Sequence, residues 1–209
     1  MIYAELIANI QDICENTFTA DKLAMFVQQS EQKIYNAVEF PALRKNEVGS
    51  TTADVPYLTA PDDYIYPHSM AVIDGTGKYF YLLQKDVNFI RDAYPNPATT
   101  GQPKHYALFD EDSFILGPTP DTSYSVELHY GHYPESIVTA GTTWLGDFFD
   151  SALLNGSLVE ALRFMKGEPD LVSMYDKMYM ESLTILKNLT DGKLEQDSYR
   201  AGQYRQQVS

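Results

Sequence analysis

Three groups of side chains have types and spacing suited to chemistry. His129 and His132 bracket Tyr130-Gly131 near the end of an alternating segment, and with His105 they supply imidazoles of the kind that ligate transition metals. A two-residue gap on a strand turns the two histidines differently, and the sequence aims no carboxylate at them, so solvated histidines and no metal site are expected. Asp62-Asp63 and Asp110-Glu111-Asp112 suggest a glycosidase carboxylate pair or a calcium loop. The first follows Pro61 in a turn and the second tips a hairpin, where acids are favoured because they are solvated and form Asx-turns, so both are read as structural. A hydrolase would need such acids to converge in a pocket, and Asp→Asn changes at Asp62, Asp63 or Asp112 would then abolish turnover. No Gly-rich phosphate loop, G-x-S-x-G elbow or H-E-x-x-H helix occurs. Cys14 is the only cysteine, which excludes an intrachain disulfide and a cysteine metal cluster. The expectation is a protein without catalysis, cofactor or metal.

Binding chemistry has more to work with. Tyrosine occurs 16 times, often in or near the alternating middle of the chain, and tyrosine-rich strands line carbohydrate and protein interfaces as well as ordinary half-buried sheets. Beyond Thr190 the only large apolar residues are Leu194, Tyr199, Tyr204 and Val208. Four such side chains do not offset the entropy of ordering residues 191–209, so this segment is read as a solvated terminus or as an arm that folds on a partner. Its Tyr199-Arg200 and Tyr204-Arg205 pairs are the residue types most enriched at interface hot spots.

The chain of 209 residues carries 15 basic and 29 acidic side chains, a net charge of −14. Fourteen of the acids, with only four basic residues, lie between positions 54 and 150. Such a body repels duplex DNA and anionic membranes. The start, Met1-Ile-Tyr-Ala-Glu-Leu, has neither a basic region nor a long apolar run, and no stretch has the length of a membrane span, so a soluble protein made inside the cell is expected.

These groups must be positioned by helices at both ends and strands between them. Ile2, Leu6, Ile10 and Ile13 give a short amphipathic helix. Asp21 opens a second, with Leu23, Phe26, Val27, Ile34 and Val38 inward, Gln28, Gln29, Glu31 and Lys33 outward, and Pro41 at its end. From Glu47 to Gly141 the period is two. Hairpins are expected around Asp74-Gly-Thr-Gly and Asp110-Glu-Asp-Ser, a strand with Tyr124, Val126, Leu128 and Tyr130 on one face, five or six strands in all, and a short helix over Lys85 to Ala93. From Trp144 to Leu189 the chain reads as a helical hairpin. Asp147 is the expected N-cap of a mostly buried helix reaching about Lys166, Gly167 ends it, and Pro169 opens a helix whose inward face is Leu171, Tyr175, Met178, Leu186 and Leu189. Each terminal pair leaves an apolar stripe bare, so packing the pairs together is the simplest solution. The expected fold is α+β. Residues 1–46 and 144–190 form a helical bundle, 47–143 an inserted small antiparallel β-sandwich or barrel-like domain, and 191–209 a flexible C-terminal arm.

In this order the segments resemble the phage adaptor family, the head-to-tail connector proteins of tailed bacteriophages. The resemblance rests on Tyr3-Ala-Glu-Leu-Ile-Ala-Asn-Ile, Phe26 to Ile34, Ala60-Pro-Asp-Asp-Tyr, Thr100-Gly-Gln-Pro before a strand with Tyr106, and Leu116-Gly-Pro-Thr-Pro-Asp. It continues through Val126-Glu-Leu-His-Tyr-Gly-His-Tyr-Pro, Thr143-Trp-Leu and Leu153-Leu-Asn-Gly-Ser-Leu-Val-Glu-Ala. The family usually has a proline in the turn before the Leu-Leu helix, where this chain has Gly146-Asp-Phe-Phe-Asp. The resemblance implies a structural protein of the virion neck, made in the host cytoplasm. It implies a homo-oligomeric ring of twelve subunits that binds the portal protein above and tail, nozzle or tail-tube proteins below, and lets DNA pass without specific binding. A portal-binding arm would then use Leu194, Tyr199, Arg200, Tyr204 and Arg205. The alternative is a tail-associated carbohydrate-binding module using the tyrosine-rich β domain.

Overall fold

The structure, a computed structural model, describes residues 1–194. Among the described residues contacts form two compact units, one of Met1–Ala42 with residues 134–194 and one of Leu43–Tyr133. Among the described residues no helix is long and apolar enough to cross a membrane.

The first unit is helical. α1 (Tyr3–Cys14) buries Leu6 and Ile10, and its first turn is closed by the Glu5 carboxylate accepting from the Ile2 N–H. α2 (Ala20–Ala37) follows, and α4 (Ile137–Ala140) begins the return, after α3 (Val87–Ala93) of the second unit. α5 (Trp144–Phe148) is capped by Thr143, whose hydroxyl accepts from Gly146 N at 3.3 Å. α6 (Asp150–Phe164) lies in contact with α1, α2 and α7 (Pro169–Leu194). Being surrounded, it uses small residues where neighbours approach. A Cβ on Gly156 would lie 2.2 Å from the Ser30 hydroxyl and 2.9 Å from the Tyr179 ring, so only glycine fits there. Aromatic rings fill the rest: Phe18, Phe26 and Phe164 form one cluster, and Trp144 stacks on Phe40 at 4.9 Å.

The second unit has eight strands in two four-stranded sheets. β1 (Arg44–Ser50), β8 (Ser125–Gly131), β3 (Tyr66–Ile73) and β4 (Tyr79–Tyr81) form one sheet in that order. β2 (Tyr57–Thr59), β7 (Ser113–Gly117), β6 (His105–Asp110) and β5 (Leu83–Gln84) form the other. Met70, Val72, Val126, Leu128 and Tyr130 of the first sheet share a core with Tyr106, Phe114 and Leu116 of the second. The outer face of the second sheet is covered by α3 (Val87–Ala93), with Ile90 packed on Ala107 and Ile115.

Several expectations need correction. The sandwich has no closed barrel, and it is not wholly antiparallel: β5 runs parallel to β6, because α3 lies between them in the chain and carries it back across the sheet. β1 shows no apolar alternation, because it is an edge strand whose inward positions hold Lys45 and Glu47. Asp147 does not cap α6. It lies inside α5, where its carboxylate accepts from the Thr142 hydroxyl, and the chain breaks at Phe149. α6 ends at Phe164, and the left-handed residue after it is Lys166 (φ 55°) with Gly167 N donating to Leu162 O. α7 continues to Leu194, past the expected end at Leu189. Its packed face is also rotated, since Tyr179, Leu186 and Thr190 are buried while Leu171, Met178 and Leu189 are exposed. Tyr179 wins the inward place because Gly156 leaves a hollow for its ring.

Candidate interaction surfaces

The sandwich is open along the β1 edge, where a cavity of about 470 Å³ is lined by Leu58, Ala60, Val126 and Leu128 below and Lys45, Glu47, Asp62 and Asp63 at the rim. A clasp of polar groups bridges the rim of this open edge. The Tyr130 hydroxyl lies 2.7 Å from Asp63 Oδ1 and 2.9 Å from Glu47 Oε2, so one phenolic proton serves two carboxylates. Lys45 Nζ donates to Asp63 Oδ2 at 2.9 Å, and His132 Nδ1 stands 3.5 Å from the same oxygen. Burial alone would raise the Asp63 pKa, but the Tyr130 hydroxyl and the Lys45 ammonium outweigh it and hold the carboxyl below its usual range. Burial pushes the Tyr130 phenol well up, and the hydrogen bonds to the Asp63 and Glu47 carboxylates push it further. An aspartate kept ionised by a lysine cannot donate a proton near neutral pH, so the cluster ties strands together and does not form an acid catalyst.

The other expected groups lie apart. Asp112 is at the β6–β7 hairpin tip, where its backbone carbonyl accepts from Ala60 N and Asp110 Oδ1 accepts from Asp112 N and the Ser113 hydroxyl. Its side chain is not among those lining the cavity that Asp62 and Asp63 border. His129 is on the outer face of the first sheet with its ring 4.9 Å from that of His68, whereas His105 is on the second sheet, its Nδ1 2.9 Å from the Tyr94 hydroxyl. Among the described residues no three His, Cys, Asp or Glu side chains are grouped to hold a metal ion. The tyrosines divide by face. Tyr106 and Tyr130 are in the core, while Tyr66, Tyr79 and Tyr81 are exposed on the outer face of the first sheet.

Glu31 is the group that periodicity misassigned. Expected outside, it is 2% exposed, with its carboxylate accepting from Ile137 N at 2.9 Å and the Ser136 hydroxyl at 2.6 Å. It thereby caps α4 from α2, across more than a hundred residues of sequence. Burial raises its pKa, and the hydrogen bonds from Ile137, Ser136 and Tyr35 offset part of that rise. The signal was available: position 31 is four residues after Val27 and three before Ile34, both on the apolar face.

Among the described residues, one surface has the character of a contact, the exposed apolar side of α7 with Leu171, Met174, Met178, Ile185 and Leu189. Tyr199, Arg200, Tyr204 and Arg205 lie outside the described residues, as does the side chain of Leu194. The sequence profile of the SU10 adaptor protein family matches residues 1–206. The chain belongs to that family. An SU10 adaptor protein is a phage adaptor, so this chain is a structural component of a bacteriophage virion. No curated protein matches it significantly. Within its own unit, each of the Asp63 clasp and the Glu31 cap ties together stretches of the chain that are remote in sequence.

Proposed function

We propose that this adaptor acts in the neck of the virion as the head-to-tail connector. Twelve identical subunits form a ring beneath the portal, tail, nozzle or tail-tube proteins attach below, and the genome passes through the centre. The observation that carries the reading is the family match over residues 1–206. The net charge of −14 per subunit supports it, because a ring of such subunits repels DNA and lets it slide, even though salt screens the field beyond about 8 to 10 Å. In this reading residues 1–46 and 144–190 form the helical body, 47–143 the inserted β domain, and 191–209 the arm that grips the portal. Tyr199 and Tyr204 anchor in grooves between portal subunits, Leu194 adds apolar contact, and Arg200 and Arg205 pair with portal carboxylates. Deleting residues 191–209 should leave the body folded but prevent docking on portal-bearing heads, so that packaged heads fail to join tails. Truncated protein that still completes infectious particles would refute the arm. Cryo-electron microscopy of the neck tests the copy number.

One observation favours a second reading. Tyr66, Tyr79 and Tyr81 share an exposed face with His68 and His129, the kind of aromatic platform on which sugars stack. A carbohydrate-binding module of this kind would be monomeric and bind glycans saturably, and Tyr81→Ala would abolish that binding.

A further inference from the structure

α7 is 26 residues long and packs along one side. Tyr179, Leu186 and Thr190 mark its buried line. At about 100° per residue, Leu171, Met174, Met178, Ile185 and Leu189 fall within an arc of roughly 60° centred about 110° from that line. They are between 42% and 62% exposed. The stripe extends for roughly 27 Å and its 171, 178 and 185 positions keep the seven-residue step of a helix–helix seam.

We infer that this stripe is where a second copy of the chain docks. The inference rests on the ring reading for its occupant, and two features of the molecule select a copy of itself. The first is area. Five apolar side chains exposed to this degree present on the order of 500 Å², at the upper end of what a lone protein leaves bare. With its polar flank the stripe approaches the roughly 800 Å² that each partner gives a stable interface. The second is charge. The acids that make two copies repel are concentrated between positions 54 and 150, whereas Pro169 to Thr190 carries Asp170, Asp176 and Glu181 against Lys177 and Lys187. Lys177 and Glu181 lie one turn apart along the same border of the stripe and carry opposite signs, so a neighbouring copy meets no wall of like charge there.

The test uses the full chain and measures mass by sedimentation velocity over a range of concentrations. Met178→Lys with Ile185→Lys should weaken self-association by at least about tenfold while the helical circular dichroism is unchanged. Met180→Lys, on the far side of α7, should leave the mass as it is in the natural chain. If the double variant associates as the natural chain does, the stripe is not the contact, and the ring must use another surface. If the natural chain stays a single copy at every concentration, the inference fails, and the copy number in the virion neck then decides the ring reading separately. If removing residues 195–209 is what allows association, the chain's own arm occupies the stripe and the inference is overturned.

Discussion

Each unit holds a carboxylate that ties remote stretches of chain together, and the two work in opposite electrostatic regimes. Glu31 sits in the helical unit, out of water, and its partners are a backbone N–H and neutral hydroxyls. Asp63 sits at the open edge of the β-sandwich, partly in water, and has an ammonium beside it. Burial therefore governs Glu31 and raises its pKa, whereas at Asp63 the donors win and the pKa falls. A helix N-terminus can be capped by a neutral carboxyl or an amide as well as by an ion. A lysine–aspartate clasp needs the charge.

The largest effect is expected from removing the buried cap. Glu31→Ala leaves the Ile137 N–H and the Ser136 hydroxyl without their acceptor and should cost about 1 to 3 kcal/mol in urea unfolding. Glu31→Gln keeps an acceptor, removes the charge, and should cost much less. Equal losses in the two variants would show that the charge, not the acceptor, is what matters at this site.

Tyr130→Phe should cost less, about 1 kcal/mol, because water can reach Asp63 in place of the lost hydroxyl. Hydrogen exchange should place the loss in β1 and β8, which the clasp joins. Loosening confined to other strands would contradict the assignment.

The pH responses should have opposite signs. Because the folded pKa of Glu31 is raised, its contribution is most favourable below the ordinary value near 4.5 and declines as pH rises through the folded value. Glu31→Gln should therefore gain on the natural chain as pH increases. Asp63, with its pKa lowered, stabilises above the ordinary value near 3.8, and that contribution is lost as pH falls through the folded value. Asp63→Asn should thus differ from the natural chain at neutral pH and converge with it in acid. Exchange measured separately in the two units would read both slopes.

The smallest change is expected from Lys45→Met. Its ammonium is solvent-exposed, so the midpoint should move only slightly and the difference should vanish in high salt. A large, salt-independent loss would mean that the clasp is shielded from water.

By itself the sequence determined whatever is written in local period and order. The helical repeat over α1 and α2, the alternation of Val126, Leu128 and Tyr130 along β8, and the turn residues at Asp74 and Asp110 each act through neighbours a few residues away. The order of the segments along the chain also carried the resemblance to phage adaptors, and the family match bears it out. Tertiary structure decided what depends on distant partners. Glu31 could be read as solvated until Ser136 and Ile137 came to meet it. The inward face of α7 was ambiguous because apolar residues surround much of that helix, and the space left by Gly156 on α6 selected Tyr179 over Met178. β1 was hidden because its inward residues are the polar half of a clasp completed by Asp63 and Tyr130. Period is set by the backbone geometry of each element alone, but which face is buried is set by the shape and donors of whatever packs against it.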